Sequence, residues 1–270
     1  PKIVYACVRG FGDPRTGESP YAHWPSLDAA AQSFGGLVHA NDGLVTPAIA
    51  DIFPGTLMAL GVVSAMHSAQ RSGKGQFLDV GMYDAMMAFQ KSAVAQYGFT
   101  GKPNPAGLQR AMTLYPFDLF PTKDGRIAIA VGQPRHWDLL CAAMERADLM
   151  EDERSFSNEA RLANVDWVEA QICAWTQTQT RAEIMAKLDG AIPIGPVQTM
   201  ADIYADPHVQ ARGMLETCSP AGDNPDIALA ASPIKFSATP TTLYQRPPTL
   251  GEHNAEVLAE FGIEPPKRNG

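Results

Sequence analysis

The sequence predicts an α/β core followed by a smaller α+β domain. Three observations carry that expectation. The first hundred residues order themselves as strand, helix, strand, helix. A stretch rich in Gly, Pro and Asn without periodicity, residues 98–112, then interrupts the pattern. Beyond it comes a hairpin signal and a series of helical patterns. The division implied is 1–98, 99–244 and a closing segment 245–270 that returns to the first part.

Ile3-Val4-Tyr5-Ala6-Cys7-Val8 reads as a buried strand that begins abruptly, with an expected neighbour on each edge. Arg9-Gly10-Phe11-Gly12-Asp13-Pro14 is a glycine-rich turn. It is either a plain strand-to-loop turn or a place where backbone approaches a ligand. Trp24 to Leu37 reads as a short helix ending at Gly35-Gly36. A long apolar helix begins near Asp51 and stops at Ser72-Gly73-Lys74-Gly75. Gln76 to Val80 is the second strand and Met82 to Ala95 the next helix.

In the smaller domain, the strands 115–120 and 126–131 flank Lys123-Asp124-Gly125. Helices are expected near Pro134–Arg146, Trp167–Gln177 and Thr180–Leu188. Pro193 to Val197 reads as an extended turn, with short strands at Met214–Glu216 and Ile234–Phe236 and a last helix at Ala255–Phe261.

Composition narrows the function. The chain has 270 residues, 45% hydrophobic and 19% charged, with a formal net charge of -8. That balance suits a globular protein and argues against a general nucleic-acid binder. Cys7, Cys141, Cys173 and Cys218 are far apart, and neither they nor the six His residues show metal-ligand spacing, so no metal is expected. Scattered thiols and the lack of a signal-peptide pattern suit a cytoplasmic setting. The apolar run Ile52 to Met66 is too short to span a bilayer.

Asp51 is the main candidate for chemistry. It stands where a loop meets the long helix, with Pro54 expected in the first turn. Asp is a favoured N-cap, and the helix N-terminus favours an ionised carboxylate. The local pattern taken alone favours a cap over chemistry, while a carboxylate in this place can also be a nucleophile.

Several segments together resemble the family III CoA-transferases, the CaiB–BaiF family. Ile3 to Gly12 resembles its hydrophobic strand followed by basic residue, Gly, aromatic, Gly. Asp28 to Gly36 resembles its D-x-x-x-Q-x-x-x-G helix, and Ala50-Asp51 with Gly55 the segment holding a nucleophilic aspartate. Arg71 to Gln76 with Asp79-Val80 and Asp84-Ala85, then Ile194 to Val197, Asp206 to Val209, and Leu250 to Asn254 with Val257-Leu258, match further blocks in the same order.

The resemblance implies part of a Rossmann-like large domain plus a smaller α+β domain, from a family of interlocked homodimers. Its members ordinarily carry roughly 120 residues upstream of this point, a domain-sized piece. It also implies covalent CoA transfer from an acyl-CoA to a free carboxylic acid, with Asp51 forming an anhydride and then an aspartyl-CoA thioester. Val8, Arg9, Gly10 and Phe11 would contact coenzyme A. Lys74 reads better as part of a helix stop, and His39 is a minor candidate for lining the pocket. Tyr115, Pro116 and Phe117 read first as hairpin core. Only Gly107 stands where some members carry a run of glycines.

Two rival readings stand beside this one. An α-methylacyl-CoA racemase shares the fold, but its catalytic His position falls at Leu27 and its later Glu at Pro121. A non-catalytic partner or fragment is the other. Small dicarboxylates are the first guess for substrates, with Arg110 and Arg135 as candidate cations for a distal carboxylate.

Overall fold

A parallel pair of strands and one long helix organise the part of the chain that holds the candidate residues. The computed structural model describes residues 2–107, 113–220, 225–241 and 246–263. The chain divides into two units, Pro1–Gly195 and Pro196–Gly270.

In the first unit, β1 (Val4–Arg9) is followed by α1 (Asp28–Phe34), α2 (Leu37–Asn41) and α3 (Ile49–Ser72). Strand β2 (Gln76–Gly81) then pairs parallel to β1, with Val4 opposite Gln76 and Arg9 opposite Gly81. A parallel pair needs a crossover, and α3 supplies it by packing on both strands. The expected buried strand is only half-buried here, with Tyr5 and Val8 exposed, because β1 pairs with β2 alone among the described residues. Helices α4 (Met82–Phe89) and α5 (Lys91–Thr100) replace the single helix expected over 82–95. The break falls at Gln90, whose side-chain amide turns aside to donate to the Gly35 carbonyl.

Helix α3 differs from its sequence reading in length. It has 24 residues, ends at Gly73 in the left-handed region, and is long and apolar enough by composition to cross a membrane. The run 52–66 was too short for that; the helix that contains it is not. One side packs on β1, β2, α1 and α4, while Ile52, Leu60, Val63 and Met66 on the rest of the surface are exposed.

A small core joins the helix starts: Ala31, Leu37, Ala50, Met82 and Met86 are buried together, with Val45, Ile49 and Phe53 against them. Close approach sets Gly35, since a Cβ there would collide with Met86.

The rest of the first unit has its own core. Strands β3 (Phe117–Thr122) and β4 (Gly125–Ala130) form the expected antiparallel hairpin, with Thr122 opposite Gly125. Helices α6 (Pro134–Ala143), α7 (Asn158–Ala163), α8 (Val165–Thr176) and α9 (Arg181–Leu188) follow, with a 3-10 turn at Ala147–Met150. The short strand β5 (Ile194–Pro196) lies beside β4, where an extended turn was expected. Thr180 and Glu183 form a capping box at the start of α9.

Tyr115, Phe120, Ile127, Ile129, Trp137, Leu140 and Ile172 are buried in one cluster, so Tyr115 is core as expected, whereas Phe117 points out of it and is exposed. Arg161 is buried at its edge, where Nε donates to the Tyr115 carbonyl at 2.7 Å and Nη1 to the Ser155 carbonyl at 2.8 Å. Its guanidinium lies over the Trp137 ring at 4.8 Å. A cation in this position ties together two loops whose carbonyls would otherwise be buried without donors.

The second unit contains α10 (Met200–Ala205), α11 (Pro207–Ala211), the antiparallel pair β6 (Leu215–Cys218) and β7 (Ile227–Ala230), and α12 (Asn254–Glu260). The second strand therefore falls at 227–230 rather than 234–236. Ser232 stands just before the latter stretch, with its hydroxyl accepting from the Ile234 N–H at 3.2 Å in a local turn.

Candidate active site

Asp51 lies in the first turn of α3 but is not its cap. The helix begins at Ile49, its N-cap is Ala48, and Asp51 is the third helical residue. Its own N–H donates to the Ala48 carbonyl at 3.1 Å. Pro54 accordingly falls in the second turn, not the first. Ala48 has no side chain that could cap, so the acceptor comes from elsewhere. Asp28 Oδ1 takes the Ala50 N–H at 2.9 Å. A capping carboxylate was legible in the sequence; which carboxylate provides it was not.

That substitution leaves Asp51 free. Its side chain is exposed and has no hydrogen-bond or ion-pair partner among the described residues.

Asp28 is fully used instead. Its Oδ2 accepts from Gln32 Nε2 at 2.8 Å. The Gln32 amide is completely buried and holds Val45 from both sides, donating to its carbonyl at 2.9 Å and accepting from its N–H at 2.9 Å. The D-x-x-x-Q spacing thus puts both side chains on one face of α1, against the loop that leads into α3.

Asp51 also stands at the carboxyl edge of the strands. Gly61 of α3 lies level with Leu78, since a Cβ on Gly61 would meet that side chain at 3.0 Å. Ten residues of helix span about 15 Å, whereas three of strand span about 10 Å. Asp51 is therefore beyond the last residue of β2. Open parallel sheets bind ligands in this region.

The turn after β1 reaches the same edge. Arg9 is half-exposed, with Nη1 3.2 Å from Asp13 Oδ2. Val8 is exposed, while the Phe11 ring is buried among Tyr21, Phe34 and Tyr83. Gly10 accepts the Tyr83 N–H at 3.0 Å through its carbonyl, and a Cβ on it would collide with Ser26. Gly12 has φ of 81° and sits against the Asp79 carboxylate. Gly10 is required by close packing and Gly12 by its positive φ.

Asp13 anchors this turn. Arg15 donates to it through Nε at 2.8 Å, through Nη2 at 3.0 Å and through its backbone N–H at 3.0 Å. The Arg15 side-chain hydrogen bond, then its backbone N–H, hold the Asp13 carboxyl well below the usual carboxylate range. Asp79 completes the anchor by accepting from the Asp13 N–H at 2.8 Å and the Thr16 hydroxyl at 2.9 Å.

The remaining candidates are placed as follows. Lys74 follows the α3 stop at Gly73 and is exposed. His39 is exposed in α2, with Nε2 3.1 Å from the Asn104 carbonyl. Leu27 is the N-cap residue of α1 and 78% exposed, so nothing there replaces the racemase His. Pro121 lies within β3. Arg135 is exposed in the first turn of α6, and Arg110 lies outside the described residues. Among the described residues no group of three or more His, Cys, Asp or Glu side chains is placed to hold a metal. A cavity of about 270 Å³, lined by Val131, Gln133, Phe156, Asn158 and Arg161 among others, belongs to the hairpin core and contains none of these candidates.

The model of CoA-transferase family III matches residues 1–254. The chain belongs to that family. A succinyl-CoA:mesaconate CoA-transferase of Haloarcula hispanica is 38% identical, covering 97% of this chain and 67% of its own length. A succinate–glutarate CoA-transferase of Agrobacterium fabrum is 34% identical, covering 97% and 66%. A CaiB/BaiF family protein from Brucella suis superposes with a TM-score of 0.79 at 30% identity, covering 96% of this chain and 68% of that one. The chain thus spans about two-thirds of the length of these relatives. The mixed α/β architecture expected from the sequence is that of the family.

The anchor of this family III turn has a pH signature. Asp13 has a depressed pKa when folded, so its contribution to stability is present above the unfolded carboxylate value of about 3.9. It is lost as pH falls from there through the lowered folded value. Asp13→Asn should therefore be less stable than wild type at pH 7, with the gap narrowing below pH of about 4. Urea midpoints across pH 3 to 7 check this; a gap that does not change with pH would contradict it.

Proposed function

We propose that this chain carries the covalent centre of a CoA-transferase that moves CoA from an acyl-CoA to a free carboxylic acid, with Asp51 as nucleophile. One observation carries the assignment to Asp51: in a family III chain, it is an exposed and unpaired carboxylate in the first turn of α3, at the carboxyl edge of a parallel strand pair.

The chemistry follows from what a carboxylate can do. Asp51 attacks the thioester carbonyl, the C–S bond breaks, and CoA leaves as its thiolate, giving a mixed anhydride. The thiolate attacks the aspartyl carbonyl, releases the donor acid and leaves an aspartyl-CoA thioester. The acceptor carboxylate attacks that thioester and forms a second anhydride. CoA thiolate then takes the new acyl group, and Asp51 is free again. No net proton is needed, which suits a site whose nucleophile has no titrating partner beside it. Helix N–H groups at the start of α3 favour the negative charge that Asp51 carries between cycles.

Coenzyme A enters as part of the substrate. Val8, Arg9, Gly10 and Phe11 line the turn proposed to meet it, with Arg9 as the cation and Phe11 acting through the packing of the turn. Dicarboxylic acids are the proposed acyl groups. The names of the Haloarcula and Agrobacterium relatives, which pair succinyl-CoA with mesaconate and succinate with glutarate, support that choice. Racemisation is disfavoured because Leu27 stands where a proton-moving His would be needed and both Asp28 oxygens are occupied. A cytoplasmic setting belongs to the same proposal, supported by four free thiols.

Asp51→Ala in the active enzyme should lower CoA transfer by at least about 10³-fold, as expected for loss of a covalent nucleophile. With wild type, hydroxylamine added during turnover should convert Asp51 to its hydroxamate, read as a mass change on the peptide that contains it. Near-normal transfer by the variant, or no modification of that peptide in active enzyme, would sink the assignment. A second copy of the chain is the proposed cover for Leu60, Val63 and Met66, which are 66%, 65% and 51% exposed. Light scattering should then give the mass of a homodimer, and a monomer at micromolar concentration would count against it.

A further inference from the structure

We infer that Asp28 and Gln32 are positioning residues for the CoA-transfer reaction, fixing the helix turn that presents Asp51. The inference rests on the reading of Asp51 as nucleophile.

Four hydrogen bonds define the device. Asp28 Oδ1 accepts the Ala50 N–H at 2.9 Å, and Ala50 is the residue immediately before Asp51. Asp28 Oδ2 accepts Gln32 Nε2 at 2.8 Å. The same Gln32 amide clamps both backbone groups of Val45 at 2.9 Å. Helix α1 is thereby joined to both ends of the 45–50 segment, and the start of α3 cannot shift without breaking a bond to a buried group.

The need for such a device is local. Ala48 offers no side-chain cap, and Pro54 cannot donate to the helix turn below it. The first turn of α3 is therefore short of intrinsic constraints at the place where Asp51 sits. Asp28 supplies the missing acceptor from another helix. Because the cap is provided in trans, the carboxylate inside the turn is released from capping and faces solvent with both oxygens free. Ala50 and Gln32 are both completely buried, while Asp28 and Val45 are half-buried, so the clamp is anchored on its inner side. Neither Asp28 nor Gln32 needs to touch substrate for this effect.

A nucleophile misplaced by about 1 Å loses on the order of 10²-fold in rate. The expected signature is a loss of rate rather than of binding. The test uses the active enzyme with succinyl-CoA as probe, measuring the rate of Asp51 modification in a single turnover with hydroxylamine present, and the steady-state KM alongside.

Asp28→Ala should slow Asp51 modification by about 10- to 100-fold, with KM for the acyl-CoA changed by less than about threefold. Asp28→Asn keeps one acceptor and loses the charge. It should be intermediate, slower than wild type by about three- to tenfold. If Asp28→Ala does not fold, the Asn variant decides the matter alone. Wild-type modification rates in the Asn variant, or a loss confined to KM, would overturn the positioning role. Asp51→Ala run in parallel separates the two failures: if it retains transfer, the reading of Asp51 is wrong, whereas if it is inactive and the Asp28 variants label normally, only the present inference fails.

Discussion

The hydrogen bond from the Ala50 N–H to Asp28 is the constraint on which the site depends. A helix start must find acceptors for its free N–H groups, and the residue best placed by sequence to provide one was Asp51 itself. Had it done so, its carboxylate would be folded back on the backbone. With Asp28 in that role, the cap and the chemistry are divided between two carboxylates on two helices. One carboxylate is held by a backbone N–H of the helix start, and the other is left exposed to solvent.

The small core beneath this contact explains why it can be exact. Ala31, Ala50 and Met86 are completely buried, and Gly35 lets α1 approach α4 closely. Small residues at the crossings bring backbones together, so a side chain as short as aspartate reaches from one helix to the next. In the turn after β1, Asp13 does related work by gathering Arg9 and Arg15 around one buried carboxylate. The two regions meet at the carboxyl edge of the parallel strands, the edge at which open parallel sheets bind ligands and at which the proposed reaction would take place.

Much of this was legible in the chain. The parallel α/β start, the hairpin around Lys123-Asp124-Gly125 and the stop of α3 at Gly73 follow local rules of periodicity and turn chemistry. The family was legible because its blocks occur in order. What the sequence hid around the site was chiefly a tertiary partner. The true start of α3 at Ile49 carries no capping residue, since its acceptor lies 22 positions away. The helix expected over 82–95 breaks at Gln90, whose side chain meets the Gly35 carbonyl, 55 positions away. The glycines of Arg9-Gly10-Phe11-Gly12 suggested either a plain turn or room for a ligand, and only the fold reveals that Ser26 crowds Gly10 and that Gly12 has a positive φ. Pattern identifies which residues matter; long-range contacts assign their duties.

Oxygen tracing reaches the centre of the account most directly. If each cycle passes through anhydrides on Asp51, the oxygen that bridges the second anhydride comes from the acceptor acid and stays on the enzyme when the acyl group departs. Turnover with acceptor carboxylate labelled in both oxygens with oxygen-18, followed by mass spectrometry of the peptide containing Asp51, should show heavy oxygen gained in that side chain as acyl-CoA product forms. Product formation with no heavy oxygen in Asp51 would contradict the account.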